Sequence, residues 1–204
     1  MNDPLSQLTE LLKKLPGIGP RQSRRLAFWF VRQDLAFIQT FSKTLVEARS
    51  TITVCPQCKR LHPKSATREL CAICGSEARD ATTVMLVEKD VDLENIERTG
   101  TYTGRYFVLG GTTSPLDSNP EKKVRILGFL ELLANTKEPV KEVIIALSAT
   151  TEGEDTYTYI EEKIKSIVTE QHITITKLGR GLSTGTELEY VDRDTMTHAL
   201  KRRS

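Results

Sequence analysis

Four cysteines, the full complement of the chain, fall as Cys55-Pro-Gln-Cys58 and, twelve residues on, Cys71-Ala-Ile-Cys74. Each CxxC pair can aim two thiolates at one point. The loop between can bring both pairs into a tetrahedron, the ligand geometry of a structural zinc site. One Zn2+ per chain on Cys55, Cys58, Cys71 and Cys74, acting as a staple for the fold, is the expectation. Two disulfides are the alternative, but the chain opens Met-Asn-Asp-Pro without a basic-then-apolar leader, which favours a reducing cytosol. A redox role fits less well, since two such pairs leave no further cysteine to work with. Gly75 follows the second pair, where a tight turn often needs positive φ. His62 lies within the loop and could replace a thiolate. Four thiolates already fill the site, so a surface histidine is expected.

A second cluster of chemistry sits near the start. Leu8, Leu11, Leu12 and Leu15 recur at helical spacing, and Pro16-Gly17-Ile18-Gly19 stops that helix. Pro20 suits a first helical turn, and Arg21 to Val31 reads as a second helix whose Leu26 and Phe30 can close against the first. Gly17 and Gly19 would let the backbone approach a phosphate, with the free amides of the second helix aimed at it. Arg21, Arg24 and Arg25 follow at once and can neutralise neighbouring phosphates. Such a hairpin would grip a nucleic-acid backbone without reading its bases. The plainer alternative is a helix pair solvated by arginines.

Charge agrees with that division. Residues 1–80 hold 13 Lys+Arg against 7 Asp+Glu, a balance of +6, and residues 81–204 hold 16 against 20, a balance of −4. The basic half is the one suited to a polyanion. No apolar run approaches the roughly 18–20 residues of a membrane span, and there is no internal repeat or low-complexity segment.

The remainder alternates strands and helices. Val84–Val87, Tyr106–Leu109, Val143–Leu147 and Ile173–Thr176 read as strands. Val91–Arg98, Val124–Leu133, Thr156–Val168 and Thr195–Arg203 read as helices. This argues for an α/β fold, a parallel sheet with helices on both faces and its functional crevice at the carboxyl ends of the strands. Glu88 ends the first such strand, and Glu152-Gly153-Glu154 lies just past another.

The amino-terminal segment, in the form Leu15-Pro-Gly-Ile-Gly19, resembles the helix-hairpin-helix motif of DNA-binding proteins. The alternating region resembles the Toprim domain of topoisomerases and primases, in which a glutamate after the first strand and a later Asp-x-Asp hold magnesium. Here Ser148 and Thr150 stand where the two aspartates belong, while Glu88, Glu152 and Glu154 remain. Hydroxyls replace two charged ligands of a hard cation poorly. The glutamates are therefore expected to serve structure or a partner, with weak Mg2+ binding the lesser expectation.

The order helix-hairpin-helix, four-cysteine motif, Toprim and tail resembles the RecR family of bacterial recombination mediators over nearly the whole chain. The parts that carry it are Leu15–Arg21, Tyr106-Phe-Val-Leu-Gly-Gly111, Glu152-Gly-Glu154 and the tail Gly181–Asp192 with Thr195–Arg203. The resemblance implies a helix-hairpin-helix DNA-binding domain over 1–53 and a zinc motif over 54–78. It implies a Toprim domain over 79–178 and a tail for subunit contacts over 179–204. It implies a cytoplasmic, nucleoid-associated, non-enzymatic protein of DNA repair. Such a protein forms dimers to tetrameric rings around DNA and acts with RecO and RecF to load RecA on gapped single strands coated by single-strand binding protein. Family DNA contacts fall on Arg21 and Arg25, and the acidic group Glu152–Asp155 could meet RecO. Two departures stand out: Leu182-Ser-Thr-Gly-Thr186 replaces the family's proline and paired glycines, and Ser148-Ala-Thr150 replaces Asn-Pro-Thr. The alternative function is a magnesium-dependent Toprim nuclease or topoisomerase-like enzyme. A zinc-ribbon adaptor that never meets DNA is the third.

Overall fold

The computed structural model describes residues 3–136, 138–179, 182 and 185–201. The chain forms two compact units, Met1–Ile52 and Thr53–Ser204.

The first unit holds three helices, α1 (Pro4–Leu12), α2 (Pro20–Val31) and α3 (Leu35–Thr51). Asp3 caps α1 by accepting from the amides of Leu5 and Ser6, and Asp34 caps α3 by accepting from Phe37 N at 2.7 Å. The 17-residue α3 is absent from the sequence reading, although Asp34 followed by Leu35, Ile38, Phe41 and Leu45 carried its signal. The leucine stripe also behaves differently from expectation. Helix α1 ends at Leu12, which leaves Leu15 in the turn, and no residue of α1 is buried. Leu26 and Phe30 meet the stripe from α2 and are half-buried with Leu8 and Leu12. They line with it an apolar groove of about 830 Å³ that also takes in Phe41.

In the second unit the four-cysteine loop carries a two-stranded sheet, β1 (Ile52–Val54) with β2 (Leu61–Pro63). A four-stranded sheet follows: β3 (Asp80–Val87), β4 (Gly104–Val108), β5 (Glu142–Ala146) and β6 (Thr174–Lys177). All its pairings are parallel, in the order β4-β3-β5-β6. Between the strands lie α4 (Asp90–Thr99), α5 (Pro120–Lys123), α6 (Ile126–Ala134) and α7 (Thr151–Gln171). A 3-10 turn at Leu188–Tyr190 and α8 (Arg193–Lys201) close the described chain. The helix expected over Val124–Leu133 is α6, which starts two residues later at Ile126; Val124 is extended and follows the short α5, which the spacing did not predict. Helix α7 begins five residues before the expected Thr156, so the Glu-Gly-Glu segment lies inside its first turn. The end of the expected tail helix, residues 202–203, and Gly181, Ser183 and Thr184 of the tail motif lie outside the described residues.

Strand alternation splits the core in two. Val84 and Leu86 of β3 join Phe107, Val143, Ile145, Phe129 and Ile160 on one face. Met85 and Val87 face the other way, with Tyr106, Val108, Leu93 and all four cysteines. The cysteine loop is thus the cover of one sheet face. The register sets Val87 beside both Val108 and Ala146, so β3, β4 and β5 end level and Glu88 and Ser148 emerge together.

Candidate metal centre and nucleic-acid interface

The cysteines converge. Their Sγ atoms all lie within 4.8 Å of one another, and Cys58 Sγ and Cys71 Sγ are 3.6 Å apart. A tetrahedron with Zn–S bonds of 2.3 Å has an S···S edge of about 3.8 Å, so the spacing fits a metal and is far longer than a disulfide. All four are buried and free of disulfides. Backbone bonds fix the first knuckle: Lys59 N donates to Cys55 O at 3.0 Å, Cys55 N to Arg60 O at 2.8 Å, and Val108 N to Cys58 O at 2.8 Å. The last of these ties the knuckle to the end of β4. The second knuckle turns through Gly75 N donating to Cys71 O at 2.9 Å. The left-handed residue is Lys59 after the first pair, at φ 62°, and not Gly75 as expected. Without a metal the thiols divide: hydrogen bonding from Cys58 lowers Cys55 far below the ordinary thiol value, and hydrogen bonding with Cys55 raises Cys74 far above it. A dication among them would let all four bind as thiolates. The four clustered cysteines could hold a metal ion such as zinc.

His62 does not belong to that cluster, nor is it at the surface. It is 8% exposed, and its Nε2 is buried without a hydrogen-bond partner. Burial follows from β2, where it is the inward residue of three.

At the carboxyl ends of the strands the three glutamates do not gather. Glu88 is 7% exposed; its Oε1 lies 2.6 Å from Lys89 Nζ, and its Oε2 accepts from Ser148 Oγ at 3.3 Å. Glu154 pairs with Lys177 at 3.4 Å, and Glu152 lies exposed in the first turn of α7. Among the described residues the four cysteines are the one group of three or more His, Cys, Asp or Glu arranged to hold an ion. The two hydroxyls at the aspartate positions have structural work: Ser148 donates to Glu88, and Thr150 caps α7 by accepting from Gly153 N at 3.2 Å. An ammonium and a hydroxyl therefore occupy both oxygens of the carboxylate that would have met magnesium, and the residues present do not fit that ion.

In the hairpin, Gly17 adopts φ +75°, the left-handed region that favours glycine. Gly19 is extended and caps α2 without a side chain, and a Cβ there would meet nothing within 4 Å. Pro20 has no amide hydrogen, so the free donors of the first turn are Arg21 N and Gln22 N, with the positive end of the helix dipole behind them. Arg21, Arg24 and Arg25 are exposed, and among the described residues none of them forms an ion pair. The Arg24 guanidinium lies 5.9 Å from the Phe28 ring centroid. Ser23 and Ala27, on the opposite side of α2, are buried and hold the arginine face outward.

Comparison with known proteins follows these parts along the chain. The RecR helix-hairpin-helix model matches residues 5–49, the Toprim domain model residues 82–179 and the RecR C-terminal model residues 181–204. The four cysteines fall between the first two matches. "Recombination protein RecR" of Lactobacillus acidophilus is 38% identical over 201 residues, covering 98% of this chain and 96% of that one. Proteins of the same name from Lactobacillus helveticus and Brucella anthropi are each 36% identical, over 98% of this chain and 96% and 94% of theirs. The chain belongs to the RecR family. Within this RecR-family chain, the hairpin glycines and arginines lie in one matched segment and Glu88, Ser148, Glu152 and Glu154 in another. Lys89, unremarked in the sequence, contributes at the Toprim position by neutralising Glu88; its only sequence signal was adjacency. No helix among the described residues is long and apolar enough to cross a membrane.

Proposed function

We propose that this protein is a non-enzymatic recombination mediator in DNA repair, a clamp that grips DNA through its hairpin and carries one structural Zn2+ on Cys55, Cys58, Cys71 and Cys74. The observation that supports it most is the face built by Gly17, Gly19, Arg21, Arg24 and Arg25. There, free amides and unpaired guanidinium groups stand beside an open glycine. Its relatives are named for recombination, which supports that role. Copies of the chain assemble as a dimer to tetrameric ring, so that several hairpins engage one DNA and weak backbone contacts multiply. The apolar groove of the first unit offers a surface for such contacts: Leu11 is 60% and Leu45 57% exposed along it. RecO and RecF are the direct partners, with Glu152 and Glu154 a candidate contact, and loading of RecA on gapped single strands coated by single-strand binding protein is the outcome. The cytoplasm, at the nucleoid, is the place of action.

The test is Arg21→Ala with Arg25→Ala. Loss of two phosphate contacts should flatten the slope of log affinity against log salt by about 1.8 on duplex DNA, on all sequences alike. An unchanged slope would remove the hairpin from the interface. Supercoiled plasmid incubated with protein and Mg2+ should be shifted yet remain covalently closed after deproteinisation. Nicking that disappears with Glu88→Ala would establish the nuclease alternative.

A further inference from the structure

The loop between the cysteine pairs contains a cavity of about 290 Å³ walled by Arg60, His62, Lys64, Ser65 and Arg68, with apolar groups and Cys71 behind them. Its polar lining is three cations, an imidazole and a hydroxyl, with no carboxylate. Lys64 and Arg68 are exposed, and neither forms a hydrogen bond or ion pair among the described residues. Glu97, on which Arg60 acts electrostatically, already receives both Arg79 nitrogens and the Tyr106 hydroxyl. Two nitrogens of this wall, Arg60 Nε and His62 Nε2, are buried without any partner. Arg60 Nε–H is a buried donor left unsatisfied, which costs about 1–3 kcal/mol, and beside the unpaired Lys64 and Arg68 it favours an acceptor from outside. A metal-bound set of four thiolates would carry net negative charge, and cations could be present to balance it. Among the described residues, however, no side-chain nitrogen of Arg60, Lys64 or Arg68 donates to a cysteine sulfur; backbone amides do so instead, Arg60 N toward Cys58 and Cys74 N to Cys71 Sγ. The volume, just below the roughly 300 Å³ at which sites for drug-sized ligands begin, leaves ample room for a tetrahedral oxyanion with its water.

We propose that this cavity binds a phosphate group, with Arg60, Lys64 and Arg68 supplying charge and His62 a ring nitrogen, apart from the hairpin. Two sources share that chemistry: a backbone phosphate of single-stranded DNA, and a free phosphate or nucleotide. The first rests on the DNA-binding reading above and the second does not. The variant is Lys64→Gln with Arg68→Gln, both exposed, checked for unchanged metal content and melting temperature. Inorganic phosphate is titrated into the full-length protein and followed by phosphorus NMR. A dT oligonucleotide is titrated by anisotropy across about 50–200 mM salt. Arg21→Ala with Arg25→Ala is run in parallel. The proposal expects a saturable phosphate shift in the parent protein and the hairpin variant that disappears in the cavity variant. A salt slope on dT shallower by about 0.7 in the cavity variant identifies the DNA backbone as the source; an unchanged slope identifies a free phosphate. A phosphate titration identical in the parent and the cavity variant overturns the proposal. Failure of the hairpin reading shows separately, as an unchanged slope in the hairpin variant.

Discussion

Replacing Gly153 by alanine tests how the start of α7 is held against the end of β5, where a Toprim enzyme would keep its carboxylates. In an ordinary helix the change stabilises by up to about 1 kcal/mol, because alanine is the better helix former. Here the sign should reverse. A Cβ on Gly153 would overlap the carbonyl oxygen of Ser148 and sit 3.0 Å from its carbonyl carbon, and real Cβ atoms essentially never come within 3.0 Å of another heavy atom. The obstacle is backbone, so the first turn of α7 must move away. That movement breaks the bond from Gly153 N to Thr150 Oγ1, a cap worth about 1 kcal/mol. The strain adds about 1–3 kcal/mol, as overpacking does elsewhere. Against the gain in propensity, the net loss is about 1–3 kcal/mol. For a chain of this size that lowers the melting temperature by roughly 2–12 °C. Differential scanning calorimetry would measure it, with the far-ultraviolet circular dichroism of the folded state as a control. A melting temperature equal to or above that of the parent would refute the claim that Gly153 is required by close approach.

The other predictions concern the cysteine loop and the ion pair beside it. Cys71→Ser should release the metal, expose the Met85–Val87 face and lower the melting temperature, with metal content read by mass spectrometry; a variant that keeps stoichiometric zinc and its stability would refute the staple role. Glu97 is held below the ordinary carboxylate range, chiefly by hydrogen bonding from Arg79, and both side chains are only about a quarter exposed. Its contribution is therefore present above the unfolded carboxylate value, near pH 4.3, and is lost as pH falls below that through the lower folded value. Glu97→Gln should cost about 1–2 kcal/mol at pH 7 and melt with less pH dependence below pH 4.3 than the parent; parallel curves would refute it.

The parts legible in the chain were those whose signal is local. CxxC spacing foretold the knuckles, Pro-Gly-Ile-Gly-Pro the hairpin, and short apolar runs all four strands of the parallel sheet, because each rests on contacts within a few residues. Boundaries slipped where the first apolar residue of a helical pattern is extended, as at Val124, or where a capping threonine sat further ahead, as at Thr150. Helix α3 carries its own local signal in Asp34 and the apolar spacing that follows it. The missing Asp-x-Asp already spoke against magnesium, but only the structure showed Lys89 and Ser148 occupying the oxygens of Glu88.

The sequence by itself determined what each segment can become: two thiolate pairs, a glycine hairpin with arginines after it, strands that alternate with helices. Tertiary structure decided which of these meet. It placed β3 between β4 and β5, turned Met85 and Val87 toward the cysteines, buried His62 within β2, and brought Gly153 close against the carbonyl of Ser148. The reason is physical. Propensity and spacing act over a turn or a strand, whereas strand order, burial and the partner of a charge depend on many residues distant in the chain packing at once.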